Sequence, residues 1–90
     1  MKRFIIERKL PGAGMMTMEE LRAISQTSVS VVNEMGKPYT WVESYITDDC
    51  IYCIHEADSE DVIQEHSAIC QFPINKVEEV RVMIGPETAR

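Results

Sequence analysis

Patterns typical of a strand, a helix, two strands, a helix and a strand follow one another along this chain, and three observations set that order. Two stretches carry apolar residues at helical spacing between start and stop signals, a β-branched and aromatic hairpin separates them, and an alternating apolar segment lies near each end. The order βαββαβ predicts an α+β fold, the ferredoxin-like sandwich, in which a four-stranded antiparallel sheet carries two helices on one face. Ninety residues suffice for one modest core, so residues 1–90 are read as a single domain.

The first strand is RFIIER (3–8), apolar and β-branched at its centre, and it stops at a Pro/Gly-rich loop, Leu10-Pro11-Gly12-Ala13-Gly14. Thr17 is then an N-cap, and Glu20 three residues on completes a capping box. Leu21, Ile24, Ser28, Val31 and Met35 make a helical stripe, which Gly36 and Pro38 terminate, so the first helix is expected over 18–35. YTWVESYIT and CIYCIHEA flank Asp48-Asp49 as a hairpin. Ser59 is the expected N-cap of a second helix, with Glu60 and Asp61 at the positive end of its dipole, and Phe72-Pro73 stops it. The closing run KVEEVRVMI alternates around Val80, Val82 and Ile84 as a last strand.

Charge and composition narrow the function. A net charge of −6 and the lack of any Lys/Arg run argue against a nucleic-acid surface. No apolar run approaches the roughly 20 residues of a membrane span, and the N-terminus is charged too early for a signal peptide. Three cysteines, an odd number, do not make a full disulfide framework, and a reducing cytoplasm is the simplest compartment.

The segment CIYCIHEADSEDVIQEHSAIC (50–70) holds all three cysteines and both histidines. Cys50 and Cys53 match C-x-x-C as text, but on a strand they project to opposite faces. The helix N-terminus of a redox motif and the turn of a zinc knuckle are both missing. Counting back from a two-residue turn, Ser44 opposes Cys53, Tyr45 opposes Tyr52 and Val42 opposes His55. One face then collects Val42, Ser44, Ile46, Ile51, Cys53 and His55, and the other Trp41, Glu43, Tyr45, Tyr52, Ile54 and Glu56. The first strand adds Phe4 and Ile6 to one face and Ile5 and Glu7 to the other. The more aliphatic set is expected beneath the helices.

On the second helix Val62, Ile63, His66, Ile69 and Cys70 form one inward stripe, which places His66 in the middle of the buried face. His66 and Cys70 at i, i+4 with Cys53 below could bind a divalent transition metal, since sulfur and imidazole suit nickel, copper or zinc. His55 and Glu7 are further candidate ligands. The bland alternative is a buried neutral histidine beside small apolar cysteines. On the open face Trp41, Tyr45 and Tyr52 with Glu7, Glu43 and Glu56 form an aromatic acidic surface, suited to pairing with a second copy or to lining a ligand pocket.

FIIERKLPGAG (4–14), WVESYITDDCIYCIHEA (41–57) and EHSA (65–68), in this order and spacing, resemble a small bacterial family long catalogued as a domain of unknown function. Some of its members are described as nickel-binding, with a ferredoxin-like fold and a homodimeric arrangement. The resemblance implies counterparts at Glu7, Trp41, Ser44, Tyr45, Tyr52, Cys53, Glu56 and His66, while Cys50, His55 and Cys70 depart from the pattern. Together with the cysteine count and the candidate ligands, it favours a cytoplasmic, non-catalytic homodimer that binds nickel or another divalent transition metal. A small-molecule enzyme with His66 as general base, of monooxygenase or isomerase type, is the rival from another class. A pure oligomerisation module is the third.

Overall fold

β1 (Lys2–Lys9) lies inside the sheet, antiparallel to β3 (Cys50–Ala57) on one side and to β4 (Lys76–Glu79) on the other. β2 (Tyr39–Ile46) pairs with the far edge of β3, so the strand order is β2-β3-β1-β4. α1 (Met18–Met35) and α2 (Glu60–Cys70) cover one face. The computed structural model describes residues 1–90, and the architecture is the expected ferredoxin-like sandwich.

The local signals act largely as read. Thr17 Oγ1 accepts the Glu20 amide and the Glu20 carboxylate accepts the Thr17 amide, closing the capping box of α1. Gly36 ends that helix at φ 63°, a left-handed conformation that costs glycine least. Ser59 has N-cap backbone geometry, but its side chain makes no cap bond, and the first turn of α2 relies on its acidic residues and on Ser59 O. The Pro/Gly loop packs onto the hairpin turn: the amides of Leu10 and Gly14 donate to Asp49 O and Asp48 O, and that of Gly12 to the Asp49 carboxylate. A Cβ on Gly14 would stand 3.0 Å from Asp48 Cα, so this docking requires glycine.

Phe4, Ile6, Ile51, Cys53, His55 and Ala57 are buried beneath the helices, with Ile63 of α2 inserted against them. Full burial of Ile6 and Ile63 contributes on the order of 2–3 kcal/mol each. Cys50 and Cys53 do fall on opposite faces, and all three cysteines are free.

Three expectations are corrected. β2 carries a bulge between Trp41 and Glu43, so Trp41, not Val42, opposes His55 and turns beneath the helices. Ile69 is 50% exposed and Ser67 takes its place inside, because the inward stripe of α2 turns toward Arg8. β4 ends at Glu79, with Val82 75% and Ile84 79% exposed. The register explains this: Phe4 opposes Glu79 and β1 starts at Lys2, so a longer β4 would run past the end of its partner. The inward apolar residue of β4 is Val77, opposite Ile6, rather than Val80.

Candidate functional site

A cavity of about 480 Å³ opens between the sheet and the helices. Apolar side chains from α1, the sheet and the loops on either side form most of its wall, and its polar lining includes Arg8, Ser28, Ser44, Cys53, His55 and Cys70.

An aromatic and imidazole cluster adjoins that wall, with His55 in the wall and Tyr39 and His66 behind it. Tyr39 stacks on His66 with ring centroids 4.7 Å apart and meets His55 edge-on at 5.3 Å, and the two imidazoles are 5.6 Å apart. Burial raises the pKa of the Tyr39 hydroxyl, so it stays protonated and donates to His55 Nδ1 at 2.6 Å. The proton of neutral His55 therefore sits on Nε2. Burial first, then the Arg8 charge and His66, push His55 down to about 3.

His66 is completely enclosed. Its Nε2 lies 3.2 Å from Ser28 O, 3.4 Å from Ser28 Oγ and 3.6 Å from Cys70 Sγ. With Nε2–H donated to the Ser28 carbonyl, Nδ1 is left as a buried acceptor with no partner. Burial lowers the His66 pKa against that bond's opposing effect, and Arg8 lowers it further. Burial also raises the Cys70 thiol, so both members of the pair are neutral at pH 7. Cys53 Sγ belongs to a different chain of bonds, in which Trp41 Nε1–H donates to Ser44 Oγ at 2.9 Å and Ser44 Oγ–H donates to Cys53 Sγ at 3.1 Å.

Of the expected metal ligands, His66 and Cys70 are brought together, and Cys53 and His55 share the same interior. Glu7 is not: it opposes Tyr52 in the register and lies on the open face, across the sheet from the others. No three His, Cys, Asp or Glu side chains converge closely enough to hold a metal ion. The residues of one chain thus offer a His–Cys pair but not a completed nickel site. Of the expected open-face set, Glu43, Tyr45 and Tyr52 are there, with Tyr45 55% exposed, while Trp41 is on the other face for the reason given above.

Three residues of the site were not singled out from the sequence. Arg8 was readable, since Phe4 and Ile6 point inward and the same alternation carries Arg8 with them. Tyr39 was hidden by the bulge, which puts it on the inner side opposite Ala57. Ser67 was hidden by the turn of the helical stripe.

The model of a family described as SCO4226-like, nickel responsive protein, matches residues 4–80. The crystal structure of SCO4226 from Streptomyces coelicolor A3(2) superposes with a TM-score of 0.77 at 16% identity, covering 91% of this chain and 99% of that one. At that identity the likeness establishes the shared fold. No curated protein matches the chain. No helix is long and apolar enough to cross a membrane.

Proposed function

We infer that this chain, which belongs to the nickel responsive SCO4226-like family, works as a homodimeric, non-catalytic protein of the cytoplasm whose response to a divalent transition metal, nickel first, centres on His66 and Cys70. The observation that carries the reading is the pair itself, with Nε2 and Sγ 3.6 Å apart on successive turns of α2; ligation through Nε2 requires the imidazole proton to move to Nδ1, which has no partner in the fold. Imidazole and sulfur are donors suited to nickel and poorly suited to magnesium. Further donors come from His55 and Cys53, after side-chain movement, or from outside the chain. Because Cys70 is a neutral thiol, metal uptake there displaces a proton and weakens as pH falls.

Calorimetric titration of the purified protein with nickel at neutral pH tests this, with ultraviolet absorption reporting thiolate-to-metal charge transfer. Saturable binding and a charge-transfer band are expected, and Cys70→Ala should remove the band and weaken binding by about tenfold or more. Absence of both heat and band in the native protein sinks the reading.

Pairing through the open sheet face is supported by the exposed Ile5, Tyr45 and Tyr52 on that face and by the exposed apolar run Val82 to Ile84 beside the last strand. Light scattering should give twice the chain mass for the native protein, and Tyr45→Glu should shift it toward the monomer. A monomeric native protein at tens of micromolar would end the dimer reading.

The cavity keeps a second reading in play, that of a small-molecule enzyme. Here the geometry changes the assignment: His55 is in the cavity wall, whereas His66 stands behind it. The imidazole facing the cavity is therefore His55, but its Nδ1 accepts from Tyr39 and its Nε2 carries the proton, so it offers no free lone pair as a general base in this geometry.

A further inference from the structure

Arg8 is only 3% exposed, and a guanidinium remains charged at any ordinary pH. Its Nη1 donates to Ser67 Oγ and to Pro73 O, both at 3.0 Å, and its Cζ lies 5.6 Å from the centroid of the Phe72 ring. These contacts orient the group without neutralising it. The four ion pairs of the chain all involve other residues, so no carboxylate accompanies the Arg8 charge. A buried charge without a partner is strongly disfavoured, and proteins that retain one generally have a use for it.

Arg8 also forms part of the cavity wall. Nε and Nη2 have no partner within the protein, and neither is sealed in, since His66 Nδ1 alone is a fully enclosed polar side-chain atom without a bond. Two adjacent free donors of one planar guanidinium match the two oxygens of a carboxylate. The rest of the wall includes Leu21, Ile24, Trp41 and Ile51 but no Lys, Asp or Glu. One fixed positive charge in an apolar enclosure suits a monoanion. A phosphate dianion would carry a second charge that nothing here opposes. The volume, about 480 Å³, lies in the range of small-molecule pockets.

We propose that this cavity binds a small organic monocarboxylate with an apolar body, its carboxylate held by Nε and Nη2 of Arg8 and its body packed against Trp41, Leu21 and Ile24. The cavity shares Cys70, Cys53 and His55 with the inferred metal site, so the test is run on the metal-free protein in the presence of a chelator, where carboxylate binding is read without metal.

Trp41 is the single tryptophan of the chain and lines the cavity, so its emission reports occupancy. Benzoate, phenylacetate and hexanoate are titrated against their primary amides and against inorganic phosphate, with melting temperature as a second readout. At least one carboxylate should give a saturable emission change and a higher melting temperature, with its amide about tenfold weaker or more. Arg8→Met should abolish the preference for acid over amide. Because that change also removes the bonds to Ser67 and Pro73, Leu21→Phe serves as a second variant that narrows the cavity and leaves Arg8 in place. It should weaken the carboxylate while the fold is retained. Equal binding of acid and amide, binding of phosphate alone, or no binding of any carboxylate overturns the proposal.

Discussion

Acidifying the metal-free protein from pH 6.5 to pH 4 is expected to remove at least about 3 kcal/mol of folding stability, much of it before any surface carboxylate titrates. Both histidines of the chain are buried and have lowered pKa values, His55 to about 3. In the unfolded chain they take up protons near the ordinary value of 6.5, so below that pH the unfolded state binds more protons than the folded one. Stability therefore falls as pH falls. For His55 the loss starts near 6.5, proceeds at about 1.4 kcal/mol per pH unit, and levels off below about 3. His66 adds to it in the same direction. Domains of this size have roughly 5–15 kcal/mol in total, so the loss is a large fraction. Urea denaturation followed by circular dichroism at half-unit intervals measures it. The window from pH 6.5 to 5 is the informative one, because carboxylates have ordinary values near 4. A flat midpoint across that window would show that the imidazoles are not held neutral by the fold.

The acid response connects function to packing, because the same burial that neutralises His55 and His66 brings them beside Tyr39, Cys70 and Arg8. That assembly was only partly legible in the sequence. Helix limits were readable because caps are local: Thr17 with Glu20 and Gly36 act within a turn of their own positions. The enclosure of His66 was readable because Ile63 and Cys70 flank it at helical spacing on a buried stripe. Trp41 was misplaced because a single bulge residue reverses the faces of everything beyond it. Nothing in YTWVESYI announces where the extra residue sits. β4 was drawn too long because alternation alone does not reveal where the partner strand begins. The grouping of Glu7 with the histidines failed at the level of the sheet itself, which separates them. Most of the wrong expectations thus concern long-range register, while the local misses are Ile69, which the stripe of α2 turns outward, and Ser59, whose side chain makes no cap bond.

Replacing His66 with leucine is expected to leave the melting temperature at pH 7 unchanged or higher and to abolish the response to nickel. The stability half follows from the geometry. His66 Nδ1 is a sealed acceptor without a partner, a defect that costs on the order of 1–3 kcal/mol, and leucine has no such atom. The bonds lost are those to Ser28 and to the Cys70 thiol, at 3.2 to 3.6 Å, which are long for hydrogen bonds and weak in proportion. Leucine is close to histidine in size and would still pack against the Tyr39 ring. The same change removes one of the two neutral imidazoles, so the loss of stability between pH 6.5 and 5 should become shallower by up to about 1.4 kcal/mol per pH unit. The functional half follows from the inferred metal pair: without the imidazole, Cys70 is left as a single buried thiol, and one donor does not hold nickel at micromolar concentrations. The inferred dimer should survive, because His66 packs between α2 and the sheet and the face proposed for pairing is on the other side of the sheet. Native-like nickel binding in a well-folded His66→Leu protein would assign His66 to the core alone and remove it from the metal site. A large fall in melting temperature would mean instead that the weak bonds of His66 act together as a network worth more than their separate lengths suggest.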